Sequence, residues 1–137
     1  HGALYNMASK NAEFADVILS ATKEVLSIPV YAPYHSELKR RAGKFGIDII
    51  YEAFADRNYN EDLSLVSRSQ ANALITDIDE MIEHVFQMII YSRVKTISGN
   101  YRDLKVQTVC IHSDSPNSEN LVAALNRSLR TFGINIA

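Results

Sequence analysis

Short apolar runs alternate along this chain with longer segments of helical periodicity, and this alternation restricts the fold more than any other feature of the sequence. Apolar residues recur every three to four positions in four segments, which predicts helices over about residues 11–27, 36–45, 78–91 and 116–132. Runs rich in β-branched and aromatic residues predict strands over residues 28–32, 48–54 and 107–111. Alternating strands and helices indicate an α/β fold with mainly parallel strands.

Local signals mark the ends of these helices. Ser36 is a typical capping residue at the start of the second helix, and Gly46 is a typical left-handed residue at its end. Residues 76–79 (TDID) resemble a capping box in front of the third helix. Ser115-Pro116 places a capping residue before a proline, which predicts the start of the last helix, and Gly133 closes it.

Two further segments connect the main elements. Residues 98–100 (SGN) predict a turn between two short strands, over about residues 94–97 and 104–106. Residues 56–70 are polar and show no period, which predicts a long loop. Long loops in small domains are often functional.

Composition sets the broad class. With 137 residues, 47% hydrophobic and 22% charged, the chain is expected to form a single domain over residues 1–137. A net charge of −2 gives no electrostatic basis for binding nucleic acid. The single cysteine cannot form an internal disulfide, and neither a signal peptide nor a membrane-spanning run is visible. We therefore expect a cytoplasmic protein with neither a nucleic-acid partner nor a membrane partner.

Ionisable residues follow the predicted strands. Asp56 and Arg57 come just after the strand at 48–54, and His112 and Asp114 come just after the strand at 107–111. Because ligand sites in parallel α/β folds lie beyond the carboxyl ends of the strands, these residues are expected to share one rim.

The individual residues leave alternatives open. His112 is a catalytic acid–base group or a hydrogen-bonded structural histidine, and Asp114 is a helix cap or part of the site. Asp56 with Arg57 orients a substrate carboxylate or forms an ion pair within the loop. Glu52, inside an apolar strand, pairs with an arginine or faces the site.

Other signals argue against particular kinds of site. Cys110 lies in an apolar strand, which favours a buried thiol over a nucleophile. The histidines lack metal-binding spacing such as HExxH, and no phosphate-binding GxxxxGK[ST] or GxGxxG motif occurs. We therefore predict no metal site in this chain.

Three segments resemble the LamB/YcsF family, the A subunits of bacterial ATP-dependent 5-oxoprolinases. They are HGALYNMA at residues 1–8, YEAFADRNYNEDLSLVSRSQANALI at residues 51–75, and TVCIHSDSP at residues 108–116. The resemblance implies an irregular β/α barrel related to polysaccharide deacetylases. It also implies the opening of 5-oxoproline to L-glutamate, with ATP as co-substrate accompanied by Mg²⁺, together with separate B and C subunits.

The family pattern also suggests site residues. The expected catalytic group is His112, Asp114, Asp56 and Glu52. The expected substrate-binding group is His1, Asn6, Arg57, Tyr59 and Arg68.

Two positions depart from the family pattern, which has glycine where Leu63 and Ser113 stand here. A closed β/α barrel takes about 250 residues, so we expect this chain to be the C-terminal half of a larger barrel and inactive alone. Two alternatives remain open. One is a metal-dependent deacetylase-like hydrolase. The other is a non-catalytic assembly module whose exposed surface pairs with another chain, in a homo-oligomer for example.

Overall fold

Five helices and five short strands follow one another in residues 2–26 and 28–136, the part of the chain that the computed structural model describes. The helices are α1 (Ala3–Lys10), α2 (Ala12–Val25), α3 (Glu37–Phe45), α4 (Ile78–Tyr91) and α5 (Ser118–Thr131). The strands are β1 (Val30–Ala32), β2 (Ile49–Phe54), β3 (Arg93–Lys95), β4 (Tyr101–Asp103) and β5 (Thr108–Cys110). None of these helices is both long and apolar enough to cross a membrane.

The chain divides into two compact units, His1–Ala53 and Phe54–Ala137. That residues 1–137 form one domain stays a prediction. In the first unit, β1 and β2 pair in parallel, with Val30 opposite Ile49 and Ala32 opposite Tyr51. The helices pack around small and aliphatic side chains, which are Ala8, Ala15, Leu19, Ala32, Leu38, Ala42 and Ile47.

The capping signals of the first unit act as the sequence indicated. The Ser36 hydroxyl accepts a hydrogen bond from the N–H of Lys39 at 3.1 Å, and Gly46 ends α3 in the left-handed conformation with φ of 67°. Asn11 caps α2 by accepting from the N–H groups of Glu13 and Phe14. The separate helix α1 was not predicted.

In the second unit, α4 and α5 pack on a common core made by Ala55, Ile75, Met81, Val85, Phe86, Leu121, Leu125 and Leu129. Strands β3 and β4 form an antiparallel pair in which Arg93 lies opposite Asp103. Strand β5 lies beside the chain that leaves β2, because the N–H of Ala55 donates to the carbonyl oxygen of Cys110 at 2.9 Å. The α/β class with parallel strands is confirmed, whereas a barrel is not.

Three boundary predictions for the second unit were wrong. Asp77, not Thr76, caps α4, since its side chain accepts from the N–H of Glu80. The hairpin strands are Arg93–Lys95 rather than 94–97 and Tyr101–Asp103 rather than 104–106, and the N–H of Thr96 bonds to the carbonyl of Asn100 where the turn begins. Ser115 does not cap α5: Asn117 precedes that helix, and the Ser115 hydroxyl bonds elsewhere.

Leu63 adopts a left-handed backbone conformation, with φ of 63°. This is the first position at which the resembling family has glycine. A left-handed conformation costs a residue with a Cβ atom about 1–2 kcal/mol, whereas glycine adopts it without that cost. The loop therefore places a strained leucine where glycine would relax the backbone.

We expect Leu63→Gly to be less destabilising than Leu65→Gly by about 1–2 kcal/mol, because both variants lose a half-buried side chain and only the first relieves a left-handed backbone. Urea unfolding measures this change. Leu65→Gly is the matched control, because Leu65 is also half-buried but does not have a positive φ. That variant should lose stability, and an equal loss in both variants would contradict the assignment of strain to residue 63.

Candidate functional site

The carboxylate of Asp56 is fully buried just after β2, and three donors surround it. The backbone N–H of His112 donates to Oδ2 at 3.1 Å, and Nδ1 of the His112 ring lies 3.1 Å from Oδ1 and 3.2 Å from Oδ2. The hydroxyl of Ser115 also donates to Oδ2. Burying an unpaired carboxylate is costly, so these hydrogen bonds are what stabilise the ionised group here.

The contact with Asp56 also decides which ring nitrogen of neutral His112 carries the proton. An ionised carboxylate only accepts hydrogen bonds, so Nδ1 is the donor and the lone pair lies on Nε2. The ring stacks on Phe54 with centroids 5.3 Å apart, and 12% of the histidine side chain is exposed. An imidazole held in one tautomer by a buried carboxylate is suited to general acid–base chemistry.

Backbone pairing explains why Asp56 and His112 meet although they lie far apart in the sequence. The hydrogen bond from Ala55 to Cys110 aligns the two segments just before these residues. On the other side, the N–H of Ile75 donates to the carbonyl oxygen of Asp56 at 3.0 Å. The structure therefore brings Asp56 and His112 together at the end of two neighbouring segments, and their catalytic roles stay predictions.

Arg57 is buried and stabilises the long loop. Its Nη2 donates to the carbonyl oxygen of Val66 at 2.6 Å, and its Nε donates to that of Ala73 at 3.3 Å. Burial, and then the positive charge of Arg68, lower the pKa of Arg57, while the charge of Asp56 raises it. Both described hydrogen bonds go to loop carbonyls, and binding of a substrate carboxylate by Arg57 stays a prediction.

Arg68 and Asp114 form an exposed two-pronged ion pair. Nη1 lies 2.5 Å from Oδ2 of Asp114, and Nη2 lies 3.2 Å from Oδ1. The hydrogen bonds from Arg68 lower the pKa of Asp114. Asp114 is thus an ionised acceptor rather than a proton donor at neutral pH. It lies two residues beyond His112, so the pair links the long loop to the segment that carries His112.

Tyr59, in the long loop, is buried. Its hydroxyl accepts a hydrogen bond from the backbone N–H of Phe54 at 2.9 Å, and its ring centroid lies 5.9 Å from that of His84. The described contacts support the backbone that leads to Asp56. A direct contact between Tyr59 and substrate stays a prediction.

The imidazole of His84 is buried beside Tyr59. Burial lowers its pKa from 6.5 to about 4, against the opposing effect of the carbonyl groups of Arg57 and Phe54 and of the charge of Asp56. His84 is therefore neutral at physiological pH. The unfolded chain binds a proton here below about pH 6.5, whereas the folded chain does so only below about pH 4.

We expect this difference to remove about 3 kcal/mol of stability as the pH falls from above 6.5 to below 4. Urea unfolding at several pH values in this range measures the loss. His84→Gln should flatten the slope over this window, and His35→Gln should not, because His35 is exposed. Equal slopes for the wild type and His84→Gln would refute the predicted contribution.

The remaining predicted site residues belong to the first unit or lie outside the described residues. Glu52 is buried and accepts a hydrogen bond from the hydroxyl of Tyr5 at 2.7 Å. Asn6 is exposed on α1, where its side-chain amide lies 3.4 Å from the carbonyl oxygen of Gly2. His1 lies outside the described residues. Site roles for Glu52, Asn6 and His1 stay predictions.

Sequence reasoning missed two partners of the predicted residues. Ser115 was interpreted as a helix cap, although it lies close to His112 in the same motif, and Tyr5 belongs to the motif at residues 1–8. Position within a family motif was the only available signal for either. Within the described ranges, no three His, Cys, Asp or Glu side chains gather in an arrangement suited to a metal ion.

Comparison with known proteins gives a consistent result. A model of the LamB/YcsF family matches residues 1–137. A Bacillus cereus protein named as the A subunit of 5-oxoprolinase is 38% identical, with 99% of this chain and 54% of that protein covered. A protein of the same name from Halalkalibacterium halodurans is 36% identical, with 99% and 53% covered.

A solved structure agrees with this match. The crystal structure of a lactam utilization protein from Thermus thermophilus superposes with a TM-score of 0.90 at 28% identity. The alignment covers 99% of this chain and 54% of that one. The chain spans about half the length of the relatives it matches.

Proposed function

This chain belongs to the LamB/YcsF family, and from that membership we propose that it acts in a 5-oxoprolinase, which opens the lactam of 5-oxoproline to L-glutamate while ATP is hydrolysed. The shared name of the curated relatives and the lactam utilization protein of similar fold support this proposal. The word subunit in the names of those relatives is consistent with partner chains, and we propose that these are the B and C subunits.

The observation that carries the proposal is the hydrogen bond between buried Asp56 and Nδ1 of His112. Hydrolysis of an amide requires one group to take a proton from water and to return it to the departing nitrogen. An imidazole whose tautomer is set by a buried carboxylate can perform both steps through Nε2. We assign that role to His112, with Asp56 and Ser115 as the residues that position it.

The proposed reaction begins with transfer of the terminal phosphoryl group of ATP to the lactam carbonyl oxygen, which makes the ring carbon electrophilic. Water then adds to this carbon while Nε2 of His112 takes its proton. The imidazolium returns the proton to the ring nitrogen as the carbon–nitrogen bond breaks, which leaves an acyl phosphate. A second water hydrolyses the acyl phosphate, so the products are glutamate, ADP and phosphate.

Arg68 and Asp114 supply the charged groups of this scheme. An exposed ion pair contributes at most about 1 kcal/mol, so an anionic group of the substrate can replace Asp114 on the guanidinium of Arg68. The planar fork of arginine matches both carboxylate and phosphoryl oxygens. The carboxylate of Asp114, released from Arg68 in this way, then accepts a hydrogen bond from the attacking water.

The complete protein, assembled with its partner subunits, tests the proposal. Glutamate should form from 5-oxoproline only when ATP and Mg²⁺ are present, with ADP and glutamate released in equal amounts. Glutamate formation without ATP would contradict the phosphoryl-transfer step. Release of acetate from acetylated sugars, with no glutamate from 5-oxoproline, would instead favour a deacetylase-like hydrolase.

A further inference from the structure

A cleft of about 520 Å³ opens beside α4, and its lining residues differ from those of the Asp56–His112 site. Glu80, Glu83 and His84 contribute from α4, where their spacing places them on one side of the helix. Lys95 comes from β3 and Tyr101 from β4. The volume lies in the usual range for small-molecule pockets, roughly 300–1,000 Å³.

Charges of both signs line this cleft without pairing with each other. Within the part of the chain that the structure describes, no ion pair joins Lys95 to Glu80 or Glu83. Glu83 accepts a hydrogen bond from the side-chain amide of Gln87 at 2.6 Å. The gap between the α4 carboxylates and the β3 ammonium is therefore wider than a direct ion pair, which leaves room for a ligand with both charges.

His84 adds a buried polar atom to the same wall. The side chain is 7% exposed, and its Nε2 is buried without a hydrogen-bond partner among the described residues. A buried polar atom without a partner is costly unless a ligand or a water molecule hydrogen-bonds to it.

We propose that this cleft binds a small zwitterion with a primary ammonium group and a carboxylate, the chemical class of free amino acids. The ammonium group donates to the carboxylates of Glu80 and Glu83, and reaches the buried Nε2 of His84 through a bound water. The carboxylate of the ligand pairs with Lys95. None of these side chains takes part in the proposed ring-opening chemistry.

A nuclear magnetic resonance titration of the complete protein with glycine tests the proposal. The ring signals of His84, identified by their loss in His84→Gln, should shift with glycine and reach saturation. Glycine betaine, which has no N–H donor, and acetate, which has no ammonium group, should cause no saturable shift. Because the measurement reports binding of glycine at His84, its outcome does not depend on whether the enzyme opens a lactam.

Variants of exposed residues provide the second part of the test. Glu80→Gln and Lys95→Gln should each weaken glycine binding about tenfold, since each removes one charge-assisted contact. Glu119→Gln and Lys23→Gln are matched controls on exposed sites outside the cleft and should bind glycine like the wild type. The absence of a saturable shift, equal binding of betaine, or unchanged affinity in both cleft variants would overturn the proposal.

Discussion

Replacement of His112 by glutamine is expected to lower kcat for 5-oxoproline opening by about a thousandfold, within the range of about 10²–10⁴ typical of general acid–base catalysis. The glutamine amide can still donate a hydrogen bond to Asp56, so the carboxylate keeps a partner and the fold should be preserved. Glutamine cannot take a proton from water at neutral pH. The loss should therefore appear mainly in kcat, with a smaller change in KM.

Steady-state kinetics of the assembled enzyme measure this loss. Ser113→Ala is the matched control on the same loop: the serine side chain is exposed, and its described hydrogen bond uses only the backbone carbonyl. In His112→Gly, added imidazole should restore part of the activity, as expected for a missing proton carrier. A threefold change in kcat corresponds to roughly 0.65 kcal/mol in the activation free energy. If His112→Gln kept kcat within threefold of the wild-type value, His112 would have no role in the mechanism.

Asp56→Ala is expected to lower the free energy of unfolding by about 3–5 kcal/mol, the usual cost of removing one partner from a buried charged network. The variant leaves the backbone N–H of His112 and the hydroxyl of Ser115 without their acceptor. It also opens a cavity at a fully buried position. The loss should therefore exceed that caused by removing an exposed carboxylate.

Urea unfolding at neutral pH measures this destabilisation. Asp103→Asn removes a carboxylate from an exposed site on β4 and should change the stability by less than about 0.5 kcal/mol. Ser115→Ala, which keeps the carboxylate and removes one donor, should cost about 1 kcal/mol. If Asp56→Ala were no more destabilising than Asp103→Asn, the buried network would not exist in solution.

Asp56→Asn separates the catalytic effect from the structural one. The asparagine side chain has nearly the same shape, but its amide group can donate to Nδ1 and thereby favour the tautomer with the proton on Nε2. The imidazole would then be unable to accept a proton from water. We expect kcat to fall by at least about a hundredfold, measured under conditions in which the variant is fully folded, as for other carboxylate–histidine pairs.

The secondary structure of this chain was predictable because its signals are local. Ser36 and Gly46 bound α3 through contacts within a few residues, and the apolar periodicity of residues 78–91 coincides with α4. The rule that ionisable residues gather beyond the ends of parallel strands indicated where Asp56 and His112 would lie. The errors also have local causes, since Thr76 and Asp77 are adjacent residues that can both cap a helix.

Side-chain partners were decided only by the tertiary structure. The hydrogen bond of Ser115 to Asp56 and the ion pair of Arg68 with Asp114 join residues far apart in sequence. The sequence offers many donors and acceptors of the same chemical type for each charged side chain. Which of them becomes its partner depends on which backbone segments pack together. Arg57 illustrates this point, because its guanidinium donates to loop carbonyls that no sequence pattern marks.

Local chemistry in the sequence therefore determined the α/β class, most helix limits and the position of His112 near the end of a strand. The tertiary structure alone decided the tautomer of His112 and the burial of His84. Both properties depend on contacts across tens of residues. Periodicity and capping preferences extend over only a few residues, and so they contain no information about such contacts.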